Sequence, residues 1–380
     1  MSHPWDSQTF TAAARAAGRS DAVIDASLRA ATYIKDRHPD LPVILTLAHL
    51  AHLTDVSGEF LRGVVDRETD PYRVFQLNKR SRPNAPQRAH RTICVPHPLL
   101  MRTQRWIAQN ILNVIDPHRA SFAFAPKRDI VQAAKRHAGC RWLVKLDVTD
   151  FFTSIREDAV YRVFRALGYG ALISFELARL CTRAPGSSRR KHRASHDQRL
   201  PYHRKHCGFL PQGAPTSPML ANLASYQLDE DFEALATSRN WIYSRYADDL
   251  AFSTKHPSNR SEALHVSRKA EALLERHGFA ANRSKTCIAP PGARRLVLGL
   301  LVDRGAPRLP RAFRDNIETH LYALAHADIG PLRHLNKRGF ASLIGMRRHI
   351  EGLIAFAHQV EPTYAARLYA RFKKVAWPAQ

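Results

Sequence analysis

At 380 residues, 44% hydrophobic and 24% charged, the chain is long enough to bury a substantial core and hold two or three subdomains. Lysine and arginine outnumber the acids 58 to 33; the net charge of +25 predicts a polyanionic partner, with a membrane surface as the plainer alternative. The longest apolar run, Leu41 to Leu53, is interrupted by His49 and His52 and is too short to span a bilayer. The N-terminal MSHPWDSQTF has no apolar signal core, and the five scattered cysteines lack CxxC spacing, so a cytoplasmic protein with reduced thiols is expected.

Residues 1–70 read as helical, from Phe10 to Ala17, Asp21 to Lys35 and Val56 to Val65, and carry no catalytic pattern. Between Tyr72 and His90 the chain turns basic, with Lys79, Arg80, Arg82 and Arg88, and Pro83 and Pro86 block helix. A short strand is expected over Arg91 to Val95, then a helix that buries Leu100, Ile107, Ile111 and Leu112. Another helix covers Val131 to His137, with Lys127 and Arg128 at its entry. Arg141 to Val148 (RWLVKLDV) reads as a buried strand with Asp147 near its end. Ser154 and Glu157 form an S-x-x-E pattern, which predicts a capping box ahead of a helix that Gly168 stops.

From Arg183 to Lys205 eight basic residues face one acid, Asp197. His192, His196, His203 and His206 beside Cys207 match no standard zinc spacing, so a nucleic-acid-facing or disordered loop is the favoured reading over a zinc site. In GFLPQGAPTSPMLANL (208–223), Ser217 is a natural N-cap and Pro218 fits the first helical position. Leu220, Leu223, Leu228, Phe232 and Leu235 keep helical spacing. A helix from Glu262 to His277 follows, then strands over Phe279 to Ile288 and Arg295 to Val302. Three basic helical stretches are expected from Arg311 onward.

The stretch with the most chemistry is Trp241 to Thr254, WIYSRYADDLAFST, which reads as a β-hairpin with Asp248 and Asp249 at its tip. Adjacent ionised carboxylates on a tight turn repel, and a hard divalent cation such as Mg²⁺ would remove the repulsion. An isolated Asp-Asp pair is an ordinary turn. Here LDVTDFF, LPQGAPTSPMLANL and YADDL follow one another in that order, and the ordered set resembles the core motifs of reverse transcriptases. Upstream, RTICVPHPLLMRTQRWIAQNIL and FAPKRDIVQAAKRHAG are similar to the finger motifs of bacterial retron enzymes.

The resemblance implies an α+β right-hand polymerase: an N-terminal helical region (1–70), fingers (71–140), a split βαβ palm with the YADD hairpin (141–304, with a basic loop over 183–207) and a helical thumb (305–380). It implies RNA-directed DNA synthesis with two Mg²⁺ ions about 4 Å apart. Asp147 and Asp248 would be the bridging metal ligands, with Asp249 adjacent and the carbonyl of Val148 as a further ligand. Phe152 falls at the steric-gate position, where its ring would clash with a ribose 2′-hydroxyl; a core aromatic is the alternative reading from burial pattern alone. Gln212 and Arg91 would line the incoming nucleotide, with Arg128 and Lys79 as further cations for the triphosphate. Lys285, at the family's SKT position, would protonate the leaving pyrophosphate. RNA contacts are expected from Arg189, Arg190, Lys191, Arg193, His137, Arg347 and Arg348.

Two positions depart from the retron pattern. Ala133 stands where an asparagine is usual in NAxxH, and Leu298 where threonine is usual in VTG. These changes remove an amide and a hydroxyl from the RNA-recognition motifs and leave the metal ligands intact. By resemblance the partners would be dNTPs, a cognate structured non-coding RNA with its DNA product, and a separate effector protein in phage defence, with priming from an internal RNA 2′-hydroxyl. An abortive-infection or group II intron relative is the second reading, and a non-catalytic RNA-binding scaffold the third.

Overall fold

The computed structural model describes residues 5–78, 90–184 and 207–378. It divides into two compact units: Met1–Lys127, Val148–Asp231 and Ala272–Ala281 form the first, and Arg128–Asp147, Phe232–Glu271 and Asn282–Gln380 the second. Both draw on stretches assigned in the sequence to fingers and palm.

The chain opens with helices α1 (Ser7–Ala16), α2 (Asp21–Arg37), α3 (Leu47–Thr54) and α4 (Gly58–Val65). Asp6, Thr46 and Ser57 accept backbone N–H groups at the starts of α1, α3 and α4, so local capping fixes where these helices begin. Strands β1 (Tyr72–Asn78) and β2 (His90–Pro96) pair antiparallel, from Tyr72↔Pro96 to Asn78↔His90. The sequence suggested only the second of these strands. Helix α5 (Pro98–Ile107) begins on the His97 cap and runs into one π-helical turn, Ala108–Leu112. Its inward residues Leu100, Ile107, Ile111 and Leu112 are fully buried, as the spacing predicts.

Next come α6 (Ile130–Arg136), β3 (Trp142–Thr149), the short α7 (Phe151–Ser154), α8 (Glu157–Ala166) and α9 (Ala171–Cys181). The expected capping box is absent. Ser154 Oγ donates to the carbonyls of Thr149 and Asp150, while Glu157 is buried and bound by Arg67 (2.6 Å), Arg179 (3.0 Å) and the backbone N–H of Gly208 (3.0 Å). A buried carboxylate needs cations more than it needs a cap, and the arginines win. Arg183 and Phe209 exchange both backbone hydrogen bonds, and Arg183 is paired with Asp70 at 2.6 Å.

Helices α10 (Ser217–Ala224) and α11 (Tyr226–Thr237) bury Leu220, Leu228 and Phe232; Leu223 and Leu235 are only half-buried. The N-cap of α10 is Thr216, because Ser217 Oγ donates instead to the Pro211 carbonyl at 2.7 Å. In the second unit β4 (Ile242–Tyr246) pairs with β5 (Asp249–Thr254), and β5 pairs with β3. Helix α12 (Arg260–Arg276) ends just before Gly278, whose φ is +80°. The two long strands expected next are short pieces. β6 (Ala280–Ala281) pairs with the end of β3, β7 (Cys287–Ala289) with its start, and β8 (Leu296–Val297) and β9 (Leu300–Leu301) form a small hairpin.

Four helices, not three, follow among the described residues: α13 (Arg311–Ala325), α14 (Gly330–Arg338), α15 (Leu343–Val360) and α16 (Pro362–Lys373). Ile317, Leu321, Met346, Ile350, Leu368 and Phe372 join one apolar cluster with Leu143, Val297 and Leu300 of the second unit. A buried contact between His320 Nδ1 and His334 Nε2 (2.8 Å) ties α13 to α14.

Candidate active site

The β4–β5 hairpin is fixed from beneath and at its tip. Phe232, Tyr243 and Phe252 pack with ring centroids 4.9–5.5 Å apart, which buries one face of both strands. With Tyr246↔Asp249 as the last rung, Ala247 and Asp248 form a two-residue turn. Ala247 holds φ +54°, a left-handed conformation costing an alanine roughly 1–2 kcal/mol. That strained turn carries Asp248.

The register of β3 on β5 places Asp147 directly opposite Asp249. Side chains alternate along a strand, so Lys145 shares the face of Asp147, and Ala251 that of Asp249. Directly opposed like charges destabilise a sheet, and residue pairs so placed lie about 4.5–5.5 Å apart at Cβ. The electrostatics follow. Burial pushes the Asp249 carboxyl above its usual range, the Asp248 and Asp147 carboxylates push it further, and Lys145 and Lys285 pull the other way.

Lys285 Nζ donates to Asp147 Oδ1 at 2.7 Å. Its backbone is placed by a turn that hangs on the same residue: Asn282 N donates to the Asp147 carbonyl (2.7 Å), and Lys285 N to the Asn282 carbonyl (3.0 Å). Among the described residues no three histidine, cysteine or acidic side chains already converge as a metal cage. The donor chemistry nonetheless fits a hard divalent cation. Asp147 already takes a cationic partner, the Lys285 ammonium, and Asp249 remains short of positive charge. The histidine-rich zinc alternative and Lys79, Arg189, Arg190, Lys191 and Arg193 lie outside the described residues.

His137, expected at an RNA surface, is fully buried. Its Nδ1 meets Ser253 Oγ at 2.7 Å and its Nε2 meets Ser244 Oγ at 2.6 Å, so the ring braces both strands of the hairpin from α6. Burial, and secondarily Arg136, push its pKa down to about 3, which keeps it neutral. Its role is structural support. Ala133 in the same helix is also fully buried. Leu298, the other departure, sits with Gly299 in the β8–β9 turn. Both have positive φ (+50° and +84°), and Leu298 lines a small cleft with Lys145, Tyr246 and Asp249. Lys145 is therefore a neighbour of the site that the motifs did not single out, and Leu298, the departure in the VTG position, borders the same cleft. The signal for Lys145 was its position two residues before Asp147 on a strand.

The remaining candidates belong mostly to the first unit. Of the Phe151–Phe152 pair, Phe151 is the core residue, buried and stacked on Phe279 with centroids 5.6 Å apart. Phe152 is half-buried, with Phe151 at 5.7 Å and the exposed Phe124 ring at 6.2 Å. Gln212 is half-buried, and its carbonyl accepts from Cys94 N at 2.8 Å, which ties the PQG turn to β2. Gly213 beside it has φ +111°, and a Cβ there would meet the Cys94 carbonyl at 2.9 Å, so only glycine fits. Arg91 is exposed on β2 opposite Leu77. Val148 is buried in the pairing with Ala281. In the second unit, Arg128 is half-buried just before Asp129, the cap of α6, and Arg347 and Arg348 are exposed on α15, with Arg347 on Glu351 at 3.1 Å.

A strand carboxylate facing a hairpin carboxylate, with a lysine between charge and solvent, agrees with the family match. Residues 78–300 match the model of reverse transcriptases (RNA-dependent DNA polymerases), and the chain belongs to that family. Within it, the chain is a reverse transcriptase of retron type. It is 29% identical over 308 residues to the Retron Ec86 reverse transcriptase of Escherichia coli, covering 81% of this chain and 86% of that one. It is 32% identical over 299 residues to the Retron Mx162 reverse transcriptase of Myxococcus xanthus, covering 75% of this chain and 58% of the relative. A solved telomerase from Candida albicans, bound to a fragment of telomeric RNA, overlays with a TM-score of 0.41 and 11% identity over 80% of this chain and 63% of that one. The expected polymerase fold and RNA-directed DNA polymerase activity follow from the family. No described helix is long and apolar enough to cross a membrane.

Proposed function

We propose that the enzyme makes single-stranded DNA from its own structured non-coding RNA, starting from an internal 2′-hydroxyl of that RNA, and serves phage defence with a separate effector protein. The opposition of Asp147 and Asp249, with Asp248 in the adjoining turn, supports the polymerase step, and the likeness to retron reverse transcriptases supports the RNA, priming and defence parts of the reading. In each step a ribose or deoxyribose hydroxyl loses its proton and attacks the α-phosphate of a dNTP; a new P–O bond forms and the bond to pyrophosphate breaks. Two Mg²⁺ ions would supply Lewis-acid stabilisation of the attacking and leaving oxygens. Asp147, Asp248 and Asp249, with the Val148 carbonyl, would hold them.

The other residues bind and orient. Lys285, with its side chain half-exposed, can release Asp147 to donate a proton to the leaving pyrophosphate. Phe152 would exclude the ribose 2′-hydroxyl of an incoming nucleotide, Gln212 and Arg91 would contact its base and phosphates, and Arg128 would add charge for the triphosphate. Arg347 and Arg348 on α15 would meet RNA phosphates, together with the basic segment around Arg189, Arg190, Lys191 and Arg193.

The test is the nucleic acid that co-purifies from cells carrying the native locus, run on denaturing gels before and after RNase and DNase. A discrete DNA whose mobility shifts with RNase, and which disappears in Asp248→Asn, is the expected result. Heterogeneous DNA, or DNA attached to the protein, would overturn the retron priming reading. RNA alone from both proteins would overturn synthesis itself.

A further inference from the structure

A groove of about 1040 Å³ lies within the first unit, well removed in sequence from the catalytic motifs. Its walls are the end of α3 at Leu53–Asp55, the outer ends of β1 and β2, and one face of α5 and the π-turn. Arg102, Arg105, Trp106 and Gln109 recur at i, i+3, i+4 and i+7, so they form a single stripe along that wall. The opposite face of α5 is committed to the core through Leu100, Thr103, Gln104 and Ile107. The stripe is therefore not spare packing surface.

Its chemistry is specific. The groove has two acids in its lining, Asp55 and Asp70, and both are already paired, with Arg102 and Arg183 respectively. Arg73 and Arg105 are exposed on the walls, so the field inside the groove is positive. Trp106 is half-buried and presents part of its indole to the cavity, beside Gln109, an amide that can both donate and accept. An aromatic platform flanked by guanidinium groups and an amide is the equipment for one unpaired base and its phosphates. A paired RNA helix keeps its bases stacked inside and cannot offer one to a concave pocket.

We infer that this groove is a binding site for single-stranded RNA, with a base stacked on Trp106 and its flanking phosphate on Arg105. The inference rests on the reading that the protein carries its own RNA, and adds a surface distinct from the carboxylate site. It assigns the groove to recognition of a loop or bulge, not to the growing duplex.

The test uses the full-length protein, a fluorescein-labelled short single-stranded RNA, a fully paired RNA duplex of the same strand, and extension of oligo(dT) on poly(rA). Trp106→Ala should weaken the single strand about tenfold, and Trp106→Phe should restore most of the loss. Arg105→Ala should weaken it with a salt slope smaller by about one. Duplex binding and oligo(dT) extension should be unchanged, and melting temperatures should show both variants folded. Unchanged single-strand affinity in folded Trp106→Ala overturns the inference. So does loss with Arg105→Ala alone, which would mark an acidic protein partner, or loss of extension in step with binding, which would return the groove to the polymerase site. A wild-type protein that binds the single strand through Trp106 but extends nothing would sink the polymerase reading and leave the groove standing.

Discussion

Two desolvated carboxylates in this protein, Glu157 buried and Asp249 half-buried, have the same problem and opposite solutions. Glu157, at the start of α8, is desolvated, which alone would raise its pKa; Arg67, the Gly208 N–H and Arg179 outweigh burial and hold it below the usual range. Asp249, in β5, is also desolvated, the Asp248 and Asp147 carboxylates add to that, and Lys145 and Lys285 do not compensate. One carboxylate is fully answered by the fold. The other is left wanting a cation, and a fold retains such a deficit where chemistry uses it. Position alone does not separate the two; the sign of the neighbours does.

The comparison breaks most sharply at the hairpin. Asp248→Asn removes a ligand charge and almost no volume, so synthesis should fall by about a thousandfold or more while the melting temperature holds. An active Asp248→Asn enzyme in a primer-extension assay would remove the metal assignment. Glu157→Gln should do the reverse. It leaves Arg67 and Arg179 without a counter-charge inside the protein, which should cost roughly 3–5 kcal/mol in urea unfolding. Activity per folded molecule should survive at low temperature. A smaller effect is expected at the half-buried ring of Phe152. Phe152→Val should admit ribonucleotides with dNTP incorporation largely kept, read as the ratio of kcat/KM values. Unchanged sugar selectivity would assign Phe152 to packing with Phe124 and Phe151.

The hairpin was legible because alternation, a short turn and paired acids all speak through adjacent residues. Asp147 was legible as the end of an apolar strand; the ordered motifs joined it to Asp248, and it is the strand register that sets it opposite Asp249. What escaped was set by long-range partners. Glu157 fits a capping box in S-x-x-E, but the pattern cannot show Arg67, 90 residues away, reaching it. His137 looked like a basic residue at a helix end, yet Ser244 and Ser253 enclose it from more than 100 residues on. Strand β1 was obscured by the basic, proline-containing run after it, and the segment after Phe279 broke into short pieces because the Asn282 turn hangs on Asp147. Lys145 reads as an ordinary strand residue until Asp249 is placed beside it.

The finest test of the comparison is the pH dependence of stability, measured in chelator so that only protein charges act. Glu157 has a folded pKa below its ordinary 4.5. The unfolded chain therefore binds the proton first, and the stability this group contributes is present above pH 4.5 and lost as pH falls through its folded pKa. The gap in melting temperature between wild type and Glu157→Gln should narrow on acidification. Asp249 has a folded pKa above its ordinary 3.8, so the folded state takes the proton first. Ionised Asp249 then weakens the fold at neutral pH, and the penalty fades as pH falls through the raised value. Asp249→Asn should melt above wild type at neutral pH and converge with it in acid. If the two variants shift in the same direction at neutral pH, the charges around Asp249 are balanced by the fold after all, and the distinction between the two carboxylates fails.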